Sequence, residues 1–479
     1  MKQAENFIWN TIPRVLQYGT SLVTSVFLAR LLTPEDYGLV ALANVFFVIL
    51  NIFVWDGLGN GLVQRKESDE LDFSSVLIFN FVLAIAIYLL LFLSAPVISK
   101  FCGYSDILTS ILRVLALRII ISSIISIQYA YISRNLIFEK KIIPSTLGST
   151  LSGALGILLA FLGYGVWALV YQYLLASIIE VVALYYALSW HPEFRFMFRR
   201  IKPILKFSWK ILVEALVSNL TVQIRSLLIG KSYSPADLGL YAKGQQFPSL
   251  MSNCFCVPLN ATLFPMISNI KESRDEVLVL LRSVVRMSSF LLVPIFFYMC
   301  STCEEWVRIL LTDRWVQIIP FIWIFSATHL FDIANHTKNA ALNGIGKSSV
   351  FMTTNGIIKS FDVILMLICL RFGTLSVALS TTVTNFILFL AVSFNSRKYL
   401  TYSFKNQIKD ILPTVLFSAI ATVCCVYLKV GLNGNLLLIF FIKTMFFWAV
   451  YLGLAFLTKQ NELYSLINSI NKKTREQKY

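Results

Sequence analysis

Apolar residues run along the chain in stretches of about 20, parted by short polar or basic segments. A helix of that length crosses a roughly 30 Å hydrocarbon core. The stretches fall near residues 7–31, 36–60, 74–95, 107–133, 143–163, 166–190, 207–230, 237–267, 280–302, 317–343, 348–370, 375–395, 410–428 and 435–458. The pattern predicts an all-α polytopic membrane protein with about 14 transmembrane helices. Within some spans the polar residues keep helical spacing. Lys210, Glu214, Ser218, Thr221 and Arg225 share one face, and Arg14, Tyr18, Ser21 and Ser25 repeat it about 200 residues earlier. Arg118, Ser122, Ser126, Tyr129 and Ser133 form a third face, and His329, Asp332, His336, Asn339 and Asn343 a fourth. Asn355, Lys359 and Asp362 form a fifth. Such faces line a wet interior or allow close helix packing.

Composition agrees with the pattern. Of 479 residues, 57% are hydrophobic and 14% charged, against about 25% charged in soluble domains. Mean hydropathy is +0.73, and the connections are too short to fold as a soluble catalytic domain. The net charge of +16 sits mainly between spans, so nucleic acid is not the expected partner; membrane lipid is. With a cytoplasmic N-terminus, 24 of the 41 Lys and Arg fall in inner segments and 7 in outer ones. That bias places both termini in the cytoplasm and requires an even number of spans. Trp9, Trp190 and Trp209 fall at inner span ends and Trp167, Trp306 and Trp315 at outer ends, where amphipathic rings meet the interface. The eight cysteines lack metal-type partners and read as small buried hydrophobes, with no disulfide framework, metal site or cofactor implied. Pro13 and Arg14 interrupt the first apolar run, so it reads as a retained span rather than a cleaved signal. After residue 463, Leu466, Ile467 and Ile470 beside Lys472, Lys473, Arg475 and Lys478 suggest a helix on the inner leaflet.

The chain also matches itself. Thr33-Pro34-Glu35-Asp36-Tyr37-Gly38-Leu39 recurs as Ser234-Pro235-Ala236-Asp237-Leu238-Gly239-Leu240. Phe7-Ile8-Trp9 recurs as Phe207-Ser208-Trp209, and Gly163 with Ala168-Leu169 as Gly373 with Ala378-Leu379. Six spans separate equivalent points, so the repeats should be parallel, related by an axis along the membrane normal. The expected organisation is a six-helix bundle over 1–190, a basic cytoplasmic linker over 191–206 and a second bundle over 207–396. Two additional helices over 410–458 and a basic tail over 459–479 follow. Such duplicated bundles leave a central cleft suited to alternating access.

Ten cations lie within spans (Arg14, Arg113, Arg118, Lys210, Arg225, Lys243, Arg286, Lys338, Lys359 and Lys443) against about five acids (Asp56, Glu180, Glu214, Asp332 and Asp362). Charges there need partners, water or a ligand. Arg118, Arg225, Lys359, Arg14 and Lys243 are the candidates for a cationic substrate cavity, and Glu214, Asp332, His336 and Asp362 for coupling or charge balance. Lys210, Arg113 and Arg286 lie close enough to span ends to snorkel. No outer loop carries a paired-carboxylate, nucleophile or phosphate-cradling set, and Glu304-Glu305 read as solvated. A membrane polymerase or glycosyltransferase is therefore not expected.

Phe27-Leu28-Ala29-Arg30-Leu31-Leu32 running into the first copy of the repeated motif, then Asp56-Gly57-Leu58-Gly59 and Val63-Gln64-Arg65-Lys66, resembles the opening of Wzx-type polysaccharide flippases. These belong to the multidrug/oligosaccharidyl-lipid/polysaccharide exporter superfamily. Arg134-Asn135-Leu136, Gly165-Val166-Trp167-Ala168-Leu169, Leu238-Gly239-Leu240-Tyr241 and Phe264-Pro265 follow in that family's order, nearest the colanic-acid and teichuronic-acid exporter branch. The resemblance covers roughly residues 5–400 and implies a bacterial inner-membrane flippase, not an enzyme. Its substrate would be an undecaprenyl-diphosphate-linked oligosaccharide, with polymerase and chain-length proteins as pathway partners. A cationic cavity suits the anionic head group. The superfamily also holds lipid II flippases and cation-coupled small-molecule exporters, which remain the alternatives.

Overall fold

The computed structural model describes residues 19–55, 58–64, 69–104, 106–193, 195–428, 435–465 and 468. Arg14, Asp56 and the amphipathic tail proposed around Leu466 and Lys472 lie outside them. The regular elements among the described residues are helices. In chain order these are α1 (Gly19–Leu31), α2 (Pro34–Trp55), α3 (Leu58–Gln64), α4 (Glu70–Cys102), α5 (Asp106–Asn135), α6 (Ile142–Phe161), α7 (Val166–Ala187) and α8 (Phe198–Ser232). There follow α9 (Pro235–Asn269), α10 (Arg274–Ser301), α11 (Cys303–Leu311), α12 (Ile319–Leu330), α13 (Asp332–Gly344), α14 (Ser348–Cys369), α15 (Thr374–Leu400), α16 (Phe404–Tyr427) and α17 (Leu436–Leu457). Among the described residues twelve candidate spans are long and apolar enough to cross a membrane, and each coincides with an expected one. The other two expected spans are the one that ends in α1, described from Gly19 on, and α9, whose 35 residues include Lys243, Gln245, Gln246 and three internal prolines.

The repeated motif has a local physical meaning. Thr33 precedes α2 and Ser234 precedes α9. The backbone N–H and hydroxyl of Thr33 donate to Asp36 Oδ2 at 2.9 and 2.8 Å, and the Asp36 N–H returns to Thr33 Oγ1 at 3.3 Å. Ser234 and Asp237 make the same three bonds at 3.1, 2.7 and 3.1 Å. Each is a reciprocal N-terminal box with proline at the first helical position, where its missing N–H costs nothing. The glycines then let the two helix starts touch backbone to backbone: a Cβ on Gly38 would overlap the Pro235 carbonyl, and one on Gly239 the Pro34 carbonyl.

The chain divides into two compact units, Met1–Ala242 and Lys243–Tyr479. In the first, α4 packs on α5 and α6 on α7, while α2 lies against α5 and α8. The basic stretch 191–206, expected as a linker, is bonded to α4. The N–H groups of Glu193 and Met197 donate to Ser74 and Ser75 at 3.0 and 3.2 Å, and Arg200 reaches Asp69 at 2.5 Å and Asp72 at 3.3 Å. Asp69 caps α4, and its hydrogen bond from Arg200 holds its carboxyl below the usual range. These contacts fasten the start of α8 to α4, so this compact unit runs on past residue 190.

In the second unit α10 packs against α12, α13 and α16, and α17 against α16 and α11. The last two spans are bound in: Arg282 of α10 grips Asp410 of α16 through two bonds of 2.9 and 2.8 Å, and Tyr402 donates to the same carboxylate at 2.8 Å. Glu305 differs from its expectation as a solvated acid. It is 5% exposed and pairs with Lys443 of α17, so each side chain supplies the countercharge that lets the other be buried. Three expected interfacial tryptophans are core residues as well. Trp190 is buried against Phe73 and Tyr131, Trp306 donates its indole N–H to the Met299 carbonyl at 3.2 Å, and Trp315 is fully buried. A ring at a span end faces lipid only where no neighbouring helix covers it.

Candidate functional site

The candidate residues fall in both units. In the first, Arg118 projects from the middle of α5. Its guanidinium carbon lies 4.1 Å from the Phe47 ring centroid on α2 and 5.1 Å from that of Tyr173 on α7, so two aromatic faces hold the charge. Its Nε is buried without a hydrogen-bond partner. Further along that face, Ser122 and Ser126 are buried. Asn80 of α4 donates to Ser126 Oγ at 3.1 Å and to the carbonyls of Val54 and Ser123 at 3.0 and 3.3 Å. This stretch of the stripe packs helices rather than lining water. Asn80 was not singled out in the sequence, being one amide in a 33-residue apolar helix. At the end of the stripe, Tyr129 donates to Glu180, and the Lys141 ammonium lies 4.1 Å from the Tyr129 ring centroid. Ser133 and Lys141 line a cavity of about 300 Å³ there. Arg225 of α8 is 7% exposed, whereas Glu214 of the same helix is exposed.

In the second unit Lys243 is 2% exposed, its ammonium 5.8 Å from the Trp315 ring centroid and 5.9 Å from that of Phe247. Lys359 of α14 is half-buried. Asp362, one turn on, is buried and accepts from Thr384 of α15 at 2.9 Å. The span expected over 317–343 is broken at Phe331 into α12 and α13, and Asp332 stands at the break. Its carboxylate meets His329 Nδ1 at 2.5 Å, the Ser252 hydroxyl at 3.2 Å and the Asn385 amide at 3.4 Å. Asp332 and His336 share a cavity of about 480 Å³ with Asn335, Asn339, Asn343 and Asn385. Asn339 and Asn343 were legible as a helical face, but Asn385 comes from another helix and has no sequence signal tying it to them. Lys338, a cation read only as lying within a span, is fully buried and bonds Ser393 at 2.8 Å and Gln407 at 3.2 Å. It ties α13 to α15 and α16.

The geometry thus holds two chemistries: buried or aromatic-braced cations suited to a charged group, and an amide-rich cavity with Asp332 and His336 in its wall.

A model of the polysaccharide biosynthesis protein family matches residues 27–320. The succinoglycan biosynthesis transport protein ExoT of Rhizobium meliloti (strain 1021) is 24% identical over 345 residues, 72% of this chain and 70% of that protein. The teichuronic acid biosynthesis protein TuaB of Bacillus subtilis (strain 168) is 21% identical over 422 residues, covering 86% and 87%. Among solved structures, the lipid II flippase MurJ in an inward closed conformation superposes with a TM-score of 0.78 at 19% identity, over 96% of this chain and all of that one. That likeness is one of fold.

Proposed function

This chain belongs to the polysaccharide biosynthesis protein family, and from that premise we propose that it is a flippase for a lipid-linked oligosaccharide. It moves an undecaprenyl-diphosphate-linked repeat unit from the cytoplasmic to the outer leaflet of a bacterial inner membrane, for surface polysaccharide synthesis. The observation that carries the proposal is the excess of cations over acids within the spans, with Arg225 buried and Arg118 braced on the rings of Phe47 and Tyr173. A diphosphate binds such groups by charge-assisted, bidentate hydrogen bonds. Arg118, Arg225 and Lys359 are assigned to the head-group path. Lys243, fully buried here, reaches substrate only in another conformation of the cycle, and Asp362 and Asp332 balance charge. Transport proceeds by alternating access between two parallel six-span repeats. The pathway's polymerase and chain-length proteins then receive the lipid.

Deleting the gene should cause the lipid-linked repeat unit to accumulate on the cytoplasmic side and surface polysaccharide to disappear. Altered drug susceptibility with normal polysaccharide would sink the reading in favour of a small-molecule exporter. From the 24-to-7 distribution of loop cations, both termini are cytoplasmic. Reporter fusions at Lys202 and after Lys459 should be active only with reporters that work in the cytoplasm, and activity of a periplasmic reporter at either position would refute this topology.

A further inference from the structure

The amide cavity of the second unit has the wrong chemistry for a diphosphate. Its titratable wall is His336 and the Asp332 carboxylate, the latter already bonded to His329, Ser252 and Asn385, and among the described residues no arginine or lysine lines it. What it offers is carboxamides. Helix α13 sets Asn335, Asn339 and Asn343 four residues apart on one face, and α15 adds Asn385. Asn335 is 4% exposed, yet both polar atoms of its side chain lack a hydrogen-bond partner. The amide oxygens of Asn339 and Asn343 are likewise buried and unpartnered. An unsatisfied buried polar atom costs a folded protein about 1–3 kcal/mol. Four of them sit on residues that line one cavity of about 480 Å³, within the usual size of small-ligand sites, and an occupant that engages these side chains must both donate and accept. A phosphate accepts only, and an acyl chain does neither. Sugar hydroxyls do both, as carboxamides do, while Phe264 and Leu388 in the same wall can cover the apolar face of a pyranose ring.

We propose that this cavity is the subsite for a neutral sugar of the transported head group, with Asn335, Asn339 and Asn343 as the residues that read its hydroxyls. The proposal rests on the flippase reading and adds to it a division of labour: cations take the diphosphate, and the α13 amides take the sugar.

The test measures binding by the full-length protein in detergent of three lipids. These are undecaprenyl diphosphate alone, the same lipid carrying one neutral hexose, and the same lipid carrying a neutral hexose trisaccharide. At least one sugar-bearing lipid should bind roughly tenfold or more tightly than the sugar-free one. In the Asn339→Leu/Asn343→Leu double variant that advantage should vanish while sugar-free binding is unchanged, which also shows that the variant is folded. As a second readout, a thiol introduced by Asn339→Cys should be shielded from maleimide, followed by peptide mass, by a sugar-bearing lipid and not by the sugar-free one. If undecaprenyl diphosphate binds but sugar adds nothing, or the double variant keeps the advantage, the subsite is wrong and the flippase reading stands. If none of the three lipids binds, the flippase reading itself falls, and the subsite with it.

Discussion

Alanine at Arg225, or at Arg118, is expected to abolish polysaccharide export while leaving the protein in the membrane. Insertion scales place the cost of a guanidinium at mid-span at about 2.5–3.5 kcal/mol, so each must be held by something. Arg118 is held by the rings of Phe47 and Tyr173, which brace a cation without cancelling its charge and leave it able to bind an anion. Removing one partner of a desolvated charge pair typically costs about 2–5 kcal/mol, a fall of roughly 30-fold or more in binding. Lysine should rescue each site only in part, because a point charge lacks the planar fork that grips two phosphate oxygens and stacks on a ring. Arg118→Lys also keeps a cation over Phe47, which separates loss of packing from loss of recognition. Cysteines at 118 and 225 should react with a small water-soluble thiol reagent and be protected by lipid-linked substrate. Normal export by both alanine variants, or the absence of labelling at both positions, would show that the charges are structural.

The second large effect is expected at the paired helix starts. Gly38 and Gly239 let the first turns of α2 and α9 approach until only hydrogen fits between each Cα and the opposing carbonyl. Close by in the same unit, the Tyr104 hydroxyl donates to the carbonyls of Gly230 and Tyr233 at 2.5 and 3.3 Å. In the proposed topology this end faces outward. We predict, as a hypothesis, that the contact is the outer closure of the transport cycle and that Gly38→Ala or Gly239→Ala cuts export by more than tenfold. Because the Cβ itself meets backbone, which cannot rotate away, alanine alone should suffice for the effect, and valine should be at least as damaging. Overpacking of this kind costs about 1–3 kcal/mol. The double variant should add little to either single one, since both open the same contact. Export assayed at matched protein levels decides the matter: wild-type rates in both alanine variants would remove the closure, and a loss of protein rather than of rate would make the contact one of stability alone.

What the sequence determined by itself was carried by local physics. Span length and hydropathy need only about 20 neighbouring residues, and the twelve membrane-length helices stand where the apolar runs put them. The Thr33–Asp36 and Ser234–Asp237 boxes close over three residues, which is why the motif could be read, matched to its copy and recognised as family-like from letters alone. The face of Asp332, His336, Asn339 and Asn343 followed from the helical repeat. Partners across helices were decided only by tertiary packing. Glu305 read as solvated because its countercharge, Lys443, lies 138 residues away, and Trp190, Trp306 and Trp315 read as interfacial because nothing local shows that a neighbour covers them. The basic stretch 191–206 read as a linker, and only the fold shows Arg200 of that stretch bonded to Asp69. Asn385 joined the α13 amides, and Arg118 found Phe47, through the folding of separate helices onto one another. A one-dimensional pattern specifies which face of a helix is polar, but what that face meets depends on side chains brought from distant parts of the chain.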